Sequence, residues 1–154
     1  MSLAEVLTLI ILTLFPFVEL RGSIPYGILA TSIPWPLVVL ICATTNWVTA
    51  ALAYGLLKIG ITSLTKHWAW FHKKHEWYVK HAQHKLHSFV DKYGAFGLSL
   101  FIAIPLPGTG VISGTLAAFA LGMHFRSFLL SSAIGVLLAS IIITIIVLSG
   151  STAF

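Results

Sequence analysis

Long apolar runs that contain no Asp, Glu, Lys or Arg make up most of the chain. They cover residues 22–57, 93–125 and 127–154. A helix needs about 20 predominantly apolar residues to cross the hydrocarbon core of a bilayer. A water-soluble protein of 154 residues has no interior that hides this much apolar surface. The pattern therefore predicts an all-α integral membrane protein.

The first apolar segment is too short for a simple crossing. Residues 6–18 give roughly 20 Å of helix, whereas the hydrocarbon core is roughly 30 Å thick. Pro16, Gly22 and Pro25 then interrupt the segment, and proline lacks the N–H that a helix requires. We predict a re-entrant hairpin over about 4–33, where the broken backbone is buried in protein or lines a wet cavity. A transmembrane helix over about 37–57 follows it.

The second half repeats this order of features. Apolar residues 95–104 are interrupted by residues 105–110 (PLPGTG) and then continue to Ala120. We predict a second re-entrant hairpin over about 93–121 and a transmembrane helix over about 127–148. An offset of 86 positions places Leu100 and Phe101 on Leu14 and Phe15. Interrupted segments at matching positions of two halves indicate the binding site of a transporter.

A basic linker, residues 58–92, joins the halves and holds seven of the nine cationic residues of the chain. Its apolar residues recur at helical spacing, which predicts a basic amphipathic helix on the membrane surface. Positive loops mark the cytoplasmic side. Because a surface helix does not cross, the second repeat starts from the opposite face and the two repeats are inverted. The alternative is that each hairpin is two full crossings, which gives six spans.

These features predict a single membrane domain, 1–154, with a first repeat (1–57), the linker (58–92) and a second repeat (93–154). The N-terminal segment lacks the positive region of a signal peptide, since Glu5 precedes every Lys and Arg, and we expect it to be part of the fold. We expect a multi-pass protein of the cell membrane. A chain this small needs a second copy to enclose a path, which predicts a homodimer.

Two charged residues, Glu19 and Arg21, lie inside the first interrupted segment. A charge at a membrane centre costs roughly 2.5–3.5 kcal/mol even on lenient scales, so it marks a function or a pair. Burial favours the neutral form of a carboxyl group, which predicts Glu19 as a proton carrier. Arg21 stays charged and suits a phosphate group. The alternative is that both charges pair with each other or cap broken helix ends.

The remaining candidate residues surround the two breaks and the first long helix. Broken helix ends expose backbone donors to an anion, and Asn46 is a polar side chain within an apolar span. Asn46 also fits a helix–helix hydrogen bond. The predicted substrate-binding residues are Arg21, Gly22, Ser23, Pro25, Asn46, Pro105, Pro107, Gly108 and Thr109.

Several classes of function have no support in the sequence. No nucleophile motif, P-loop or Rossmann glycine pattern occurs, so we expect neither an enzyme nor a cofactor. The basic charge is local to the linker, which argues against nucleic acid. His81 and His84 have a metal-like spacing but no carboxylate or cysteine joins them, so we expect no metal. The expected partners are membrane lipids and protons.

Two strings of the sequence resemble the family of small multidrug export proteins. One is residues 19–27 (ELRGSIPYG); the other is residues 92–94 (KYG) followed by 101–110 (FIAIPLPGTG). That family is similar in turn to the wider DedA group, also called SNARE-associated or VTT proteins. Gly122 and Met123, with residues 125–130 and Gly135, resemble the segment after that group's second hairpin.

The resemblance implies a re-entrant-hairpin fold and the translocation of lipids, including polyprenyl-phosphate carriers, with proton coupling in some members. Glu19 matches an acidic position of the first hairpin. The chain departs from the group after the Pro-Gly of the second hairpin, where an arginine is usual and Thr109-Gly110 stands here. We therefore predict a transporter or scramblase of a lipid or another phosphate-bearing amphiphile. The alternatives are a proton-coupled exporter of lipophilic cations and a structural membrane-assembly protein.

Overall fold

The computed structural model describes residues 2–67, 94–106 and 108–151. Within these ranges the chain forms helices and no strand, which confirms the all-α prediction. The helices are α1 (Leu3–Leu14), α2 (Glu19–Ala30), α3 (Trp35–His67), α4 (Ala95–Ala103), α5 (Val111–Ala120) and α6 (Phe125–Ser151). Two short helices, a turn and a long helix thus follow one another twice. Inversion of the repeats stays a prediction, as does the re-entrant course of the hairpins.

Two helices of the described chain are long and apolar enough to cross a membrane. They are Trp35–Gly60 in α3 and Phe125–Gly150 in α6, with mean hydropathies of 1.7 and 2.6. Because α3 continues to His67, the first ten positions of the predicted linker extend this helix. The amphipathic face and the histidines from His72 to His87 lie outside the described residues.

Each long helix buries a stripe of side chains at every fourth position, and α6 buries a second stripe beside it (Ser131, Gly135, Ala139 and Ile143). Four residues make one turn of about 3.6, so such a stripe faces a single side of the helix. The stripes pack α3 and α6 against each other and against the short helices. The stripe of α3 consists of Val38, Cys42, Asn46, Ala50 and Tyr54, and the first stripe of α6 consists of Phe128, Ser132, Val136, Ser140 and Thr144.

The first two helices form a hairpin, and hydrogen bonds join the start of α1 to the turn after α2. Ser2 caps α1 in a capping box with Glu5. The Glu5 carboxylate also accepts a hydrogen bond from the Ser32 N–H at 3.0 Å, in the turn that follows α2. Pro16 follows Phe15, the extended C-cap residue at which α1 ends. The hairpin therefore places the break between α1 and α2 at the end opposite Glu5.

The second pair of short helices packs differently. α4 lies along α6, and α5 contacts α3, α4 and α6. Tyr54 of α3 donates a hydrogen bond to the Met123 carbonyl at 2.6 Å and stacks on Phe128 with ring centroids 4.9 Å apart. This contact fixes the turn between α5 and α6 against the first long helix. The first residues of α2 and α5 lie close together, at the two breaks.

Candidate functional site

A buried carboxylate joins the start of α2 to the start of α5. Glu19 is 6% exposed and has a φ of 41°, a backbone conformation that side chains other than glycine rarely adopt. Its Oε2 accepts a hydrogen bond from the Val111 N–H at 3.1 Å, and its Oε1 accepts one from the Ile112 N–H at 3.4 Å. The carboxylate therefore caps α5 from the other half of the chain.

Gly110 leaves the space that this carboxylate occupies. Its φ of 149° belongs to a region that glycine alone adopts readily. A Cβ at this position would lie 2.3 Å from Glu19 Oε2 and 2.9 Å from Glu19 Cδ. The cap on α5 therefore requires a residue without a side chain at position 110.

The electrostatic surroundings of Glu19 are positive. Glu19 is the first residue of α2 and contacts the first residues of α5, and each helix carries a partial positive charge at its N-terminus. The Arg21 guanidinium adds a full charge that interacts with the carboxylate. One carboxylate thus faces two helix N-termini and one arginine, and these positive groups oppose the cost of burying its charge.

Arg21 ties the same two breaks together through Thr109. Its Nη2 donates to the Thr109 Oγ1 at 2.6 Å and also to the Thr109 carbonyl oxygen. The Thr109 hydroxyl in turn lies 2.6 Å from the Ile104 carbonyl oxygen and 2.8 Å from that of Leu106, so it holds the loop that precedes α5. Arg21 is half-buried.

Asn46 brings α3 to the carboxylate. Its side chain is 1% exposed and lies near enough to the Glu19 carboxylate to interact with it electrostatically. Its Oδ1 is buried and has no hydrogen-bond partner. A buried acceptor without a donor costs roughly 1–3 kcal/mol, so this atom needs an explanation.

The structure brings together four of the predicted residues: Glu19, Arg21, Asn46 and Thr109. The others lie around them in ways that the sequence did not indicate. Gly22, Ser23 and Pro25 are inside α2 rather than at a break, although Ser23 Oγ donates to the Glu19 carbonyl at 2.7 Å. Pro105 and Gly108 are exposed, and Pro107 lies outside the described residues.

Sequence analysis missed the main contacts of Glu19 because they are backbone N–H groups of two apolar residues. Every residue except proline carries such a donor, so Val111 and Ile112 give no signal in the sequence. It also missed a cavity of about 380 Å³ between α4 and α6, lined by apolar residues together with Ser99, Ser127 and Ser131. In the described ranges no three metal-binding side chains cluster.

Comparison with known proteins gives one match. Residues 19–142 match the family described as "Putative small multi-drug export protein". No curated protein and no solved structure matches the chain. The matched range begins at Glu19, directly after the first break, and includes α2, α3, the second break, α5 and most of α6. The relation to the DedA group stays a prediction.

Proposed function

The chain belongs to the small multi-drug export protein family, and on that premise we propose that it is a proton-coupled membrane transporter of amphiphilic compounds. Glu19 carries the proton. The observation that supports this proposal is the buried carboxylate of α2 that accepts hydrogen bonds from the Val111 and Ile112 N–H groups of α5 and interacts with Asn46 of α3. A titratable group at such a junction couples its charge to the packing of both halves.

Protonation of Glu19 loosens this junction. Hydrogen bonds to a charged acceptor contribute about 1.5–3 kcal/mol, against about 0.5–1.5 kcal/mol for neutral ones. Loss of the charge therefore weakens the cap on α5 by about 1–3 kcal/mol, which shifts a two-state equilibrium roughly 5- to 150-fold. The same step removes the negative charge beside Arg21. In the proposed transport cycle the protein alternates between two states. In one, the ionised Glu19 caps α5; in the other, Glu19 is protonated and the cap is weakened.

Two classes of amphiphile remain as substrates. The family description favours lipophilic drug cations, which would replace the proton on Glu19. The positive surroundings of the carboxylate favour a phosphate-bearing amphiphile such as an anionic lipid, because Arg21 and the N-terminus of α5 are anion-binding groups. Arg21 separates the classes, since it repels a cation and attracts a phosphate.

The test uses the purified full chain in liposomes with a pH difference across the membrane. A labelled lipophilic cation and a labelled anionic phospholipid are followed in parallel for the wild type, Glu19→Gln and Glu5→Gln. We expect the pH difference to drive transport in the wild type and in Glu5→Gln, whose lost carboxyl group is remote from the junction. Glu19→Gln should lose the pH dependence. Equal transport by Glu19→Gln and the wild type at every pH would refute the proposal.

Arg21→Gln then identifies the substrate class. Phosphate-bearing substrates should move at least tenfold more slowly than in the wild type, because a bidentate charged contact contributes about 1.5–3 kcal/mol. Lipophilic cations should move as fast as before or faster. We propose further that two copies of the chain enclose the path, which counting of labelled protomers in single liposomes tests.

A further inference from the structure

The cavity between α4 and α6 is a groove with exposed apolar walls. It has a volume of about 380 Å³. Exposed apolar side chains on a membrane-spanning helix contact hydrocarbon, which is as apolar as they are. A groove between such helices therefore holds a hydrocarbon chain better than it holds water. Its large lining residues are Phe96, Leu100, Leu130, Ile134 and Leu138.

The floor of the groove is made of small residues whose polar groups are satisfied. The Ser99 hydroxyl lies 2.9 Å from the Ala95 carbonyl oxygen and 3.0 Å from that of Ser131. The Ser131 hydroxyl donates to the Ser127 carbonyl at 2.8 Å. A buried hydroxyl group without a partner would disfavour an apolar ligand, and these hydrogen bonds remove that cost. The floor thus leaves room for an apolar chain and accepts it.

The length of the groove matches one leaflet of a bilayer. Ser99 of α4 contacts Ser131 of α6, and Ile102 lies against Gly135, so the two helices run parallel and begin at the same end. On α6 the groove extends from residue 127 to residue 138, which is about 16 Å of helix. Half of a hydrocarbon core of roughly 30 Å has nearly this depth.

The end at which both helices begin carries positive charge. Arg126 is exposed in the first turn of α6, next to the groove residue Ser127. The N-termini of two parallel helices add partial positive charges at the same level. The end of the groove therefore favours an anionic group and disfavours a cation.

A second basic residue reaches this end from α3. The hydroxyl of Tyr54 and the indole N–H of Trp47 donate to the carbonyls of Met123 and Leu129, so α3 runs antiparallel to α6. Lys58, about one turn after Tyr54 and exposed, therefore lies toward the same end as the start of α6. An apolar groove of one leaflet's depth with a basic end has the shape and charge of an anionic amphiphile.

We propose that this groove binds a resident anionic phospholipid, with one acyl chain between α4 and α6 and the phosphate at Arg126. The lipid comes from the leaflet at the basic end of the protein. The proposal goes beyond the proposed function, because it requires neither a proton on Glu19 nor movement of the bound lipid across the membrane.

The groove is separate from the Glu19 site. On α4, Ile102 packs against Gly114 of α5, whereas Phe96 and Leu100 line the groove. α4 therefore lies between the groove and the helix that Glu19 caps. A lipid in the groove would stabilise the packing of α4 on α6 without contacting the carboxylate.

The test uses the full chain in phosphatidylcholine liposomes that contain one of two photoreactive lipids. These are phosphatidylglycerol and phosphatidylcholine with the same diazirine-bearing acyl chain, and mass spectrometry locates the cross-linked residues. We expect phosphatidylglycerol to label the groove roughly fivefold more than phosphatidylcholine does, which is the effect of one basic residue beside an anionic lipid. A diazirine near the ester should label the Ser127 end, and one near the chain terminus should label the Leu138 end.

Two pairs of variants examine the two parts of the site. Arg126→Gln should lower labelling by phosphatidylglycerol to the level of phosphatidylcholine, whereas Arg126→Lys keeps the charge and should keep most of the preference. Ala95→Leu places a larger side chain in the groove and should reduce labelling by both lipids. Gly97→Leu is its control, because Gly97 is exposed on α4 outside the groove, with open space around its Cβ position among the described residues. The comparison of the two lipids on the wild type decides the question if a variant does not fold.

The outcomes separate this proposal from the proposed function. Glu19→Gln should lose pH-dependent transport and keep the lipid labelling, and loss of the labelling in this variant would refute the separate site. Equal labelling of the wild-type groove by the two lipids would overturn the anionic head group. Labelling spread evenly over the exposed residues of α3 and α6 would overturn the groove. Cross-links from the groove to residues 68–93 or to a second copy, in place of lipid, would assign it to protein and also overturn the proposal.

Discussion

At the scale of single residues, the site depends on close approach as much as on charge. Glu19 adopts a backbone conformation with positive φ, which costs about 1–3 kcal/mol for such a residue. Its carboxylate reaches the amides of α5 because Gly110 has no side chain. Strain of this kind persists where the surrounding contacts over-determine it, and here those contacts come from three helices.

Gly110→Ala should break the cap on α5. The added methyl group would occupy the place of Glu19 Oε2, so the variant loses charged hydrogen bonds worth about 1.5–3 kcal/mol each. We expect a lower Tm in detergent and loss of pH-dependent transport. Gly108→Ala is the control, because Gly108 also has a positive φ of 87° but nothing within 4 Å of its Cβ position. Equal losses in the two variants would mean that backbone strain alone is at work.

Glu5 should make the end of the first hairpin sensitive to strong acid. Hydrogen bonds from the backbone N–H groups of Ser2 and Ser32 lower the pKa of Glu5 from 4.5 to about 2. A carboxyl group whose pKa is lower in the folded state stabilises the fold above its unfolded pKa of 4.5, and the stabilisation is lost as the pH falls toward 2. The protection factor of the Ser32 amide, which is the exchange rate corrected for its intrinsic pH dependence, should therefore fall over this range. Glu5→Gln should show a low protection factor at every pH, and a wild-type protection factor that stays unchanged down to pH 2 would contradict the assignment.

At the scale of elements, the sequence predicted the long helices well and the breaks poorly. Two runs of apolar residues sufficed to indicate α3 and α6, because length and hydropathy decide which helices suit a bilayer. The first break was predicted to include Gly22 and Pro25, yet both lie inside α2. Membrane helices tolerate an internal proline when neighbouring helices support the backbone, and that support comes from tertiary packing that no local pattern reports.

The packing of α4 against α5 and α6 depends on Ile102, which lies between two glycines. A Cβ on Gly114 would come within 2.8 Å of Ile102 Cγ1, whereas one on Gly135 would come within 2.7 Å of Ile102 Cβ and 2.8 Å of the Ser99 carbonyl oxygen. Each alanine variant should lose about 1–3 kcal/mol of unfolding free energy through overpacking.

A double-mutant cycle distinguishes the two glycines. Ile102→Ala removes the atom that meets Gly114→Ala, so this pair should couple favourably by about 0.5–3 kcal/mol. The same change leaves Ile102 Cβ and the Ser99 carbonyl in place, so Gly135→Ala should show little coupling. Gly55→Ala on α3, with open space around its Cβ position, is the control. Rescue of Gly135→Ala by Ile102→Ala would show that the backbone of α4 moves freely, against this account.

At the scale of the whole molecule, the two halves meet at their interrupted segments. The sequence identified Glu19, Arg21 and Thr109 as candidates, because charge and proline are conspicuous in an apolar chain. It could not place Arg21 on Thr109, 88 positions away, since an offset of 86 aligned the first turn of α2 with the second break itself. The second break is longer than the first, so no one offset superposes both breaks and both long helices.

The course of the hairpins through the bilayer can be read from cysteine labelling at the first break. In a Cys42→Ser background, Phe17→Cys should react with a membrane-impermeant thiol reagent from neither side if the hairpin is re-entrant, because Phe17 is 88% exposed on the protein and would face lipid. Leu3→Cys, 76% exposed at the start of α1, should react from one side. Labelling of Phe17→Cys from the side opposite Leu3→Cys would establish two full crossings.

The cap on α5 also sets an order for the assembly of the protein during synthesis. The group that completes this helix lies 92 residues earlier in the chain, so it has already left the ribosome when Val111 is made. Until Val111 and Ile112 are in place, Glu19 lies in the membrane without its two amide partners. A carboxyl group in that situation is more stable protonated than ionised. The second half, in turn, inserts into a site that the first half has prepared. Insertion of the chain and the proposed transport would thus both depend on protonation of Glu19.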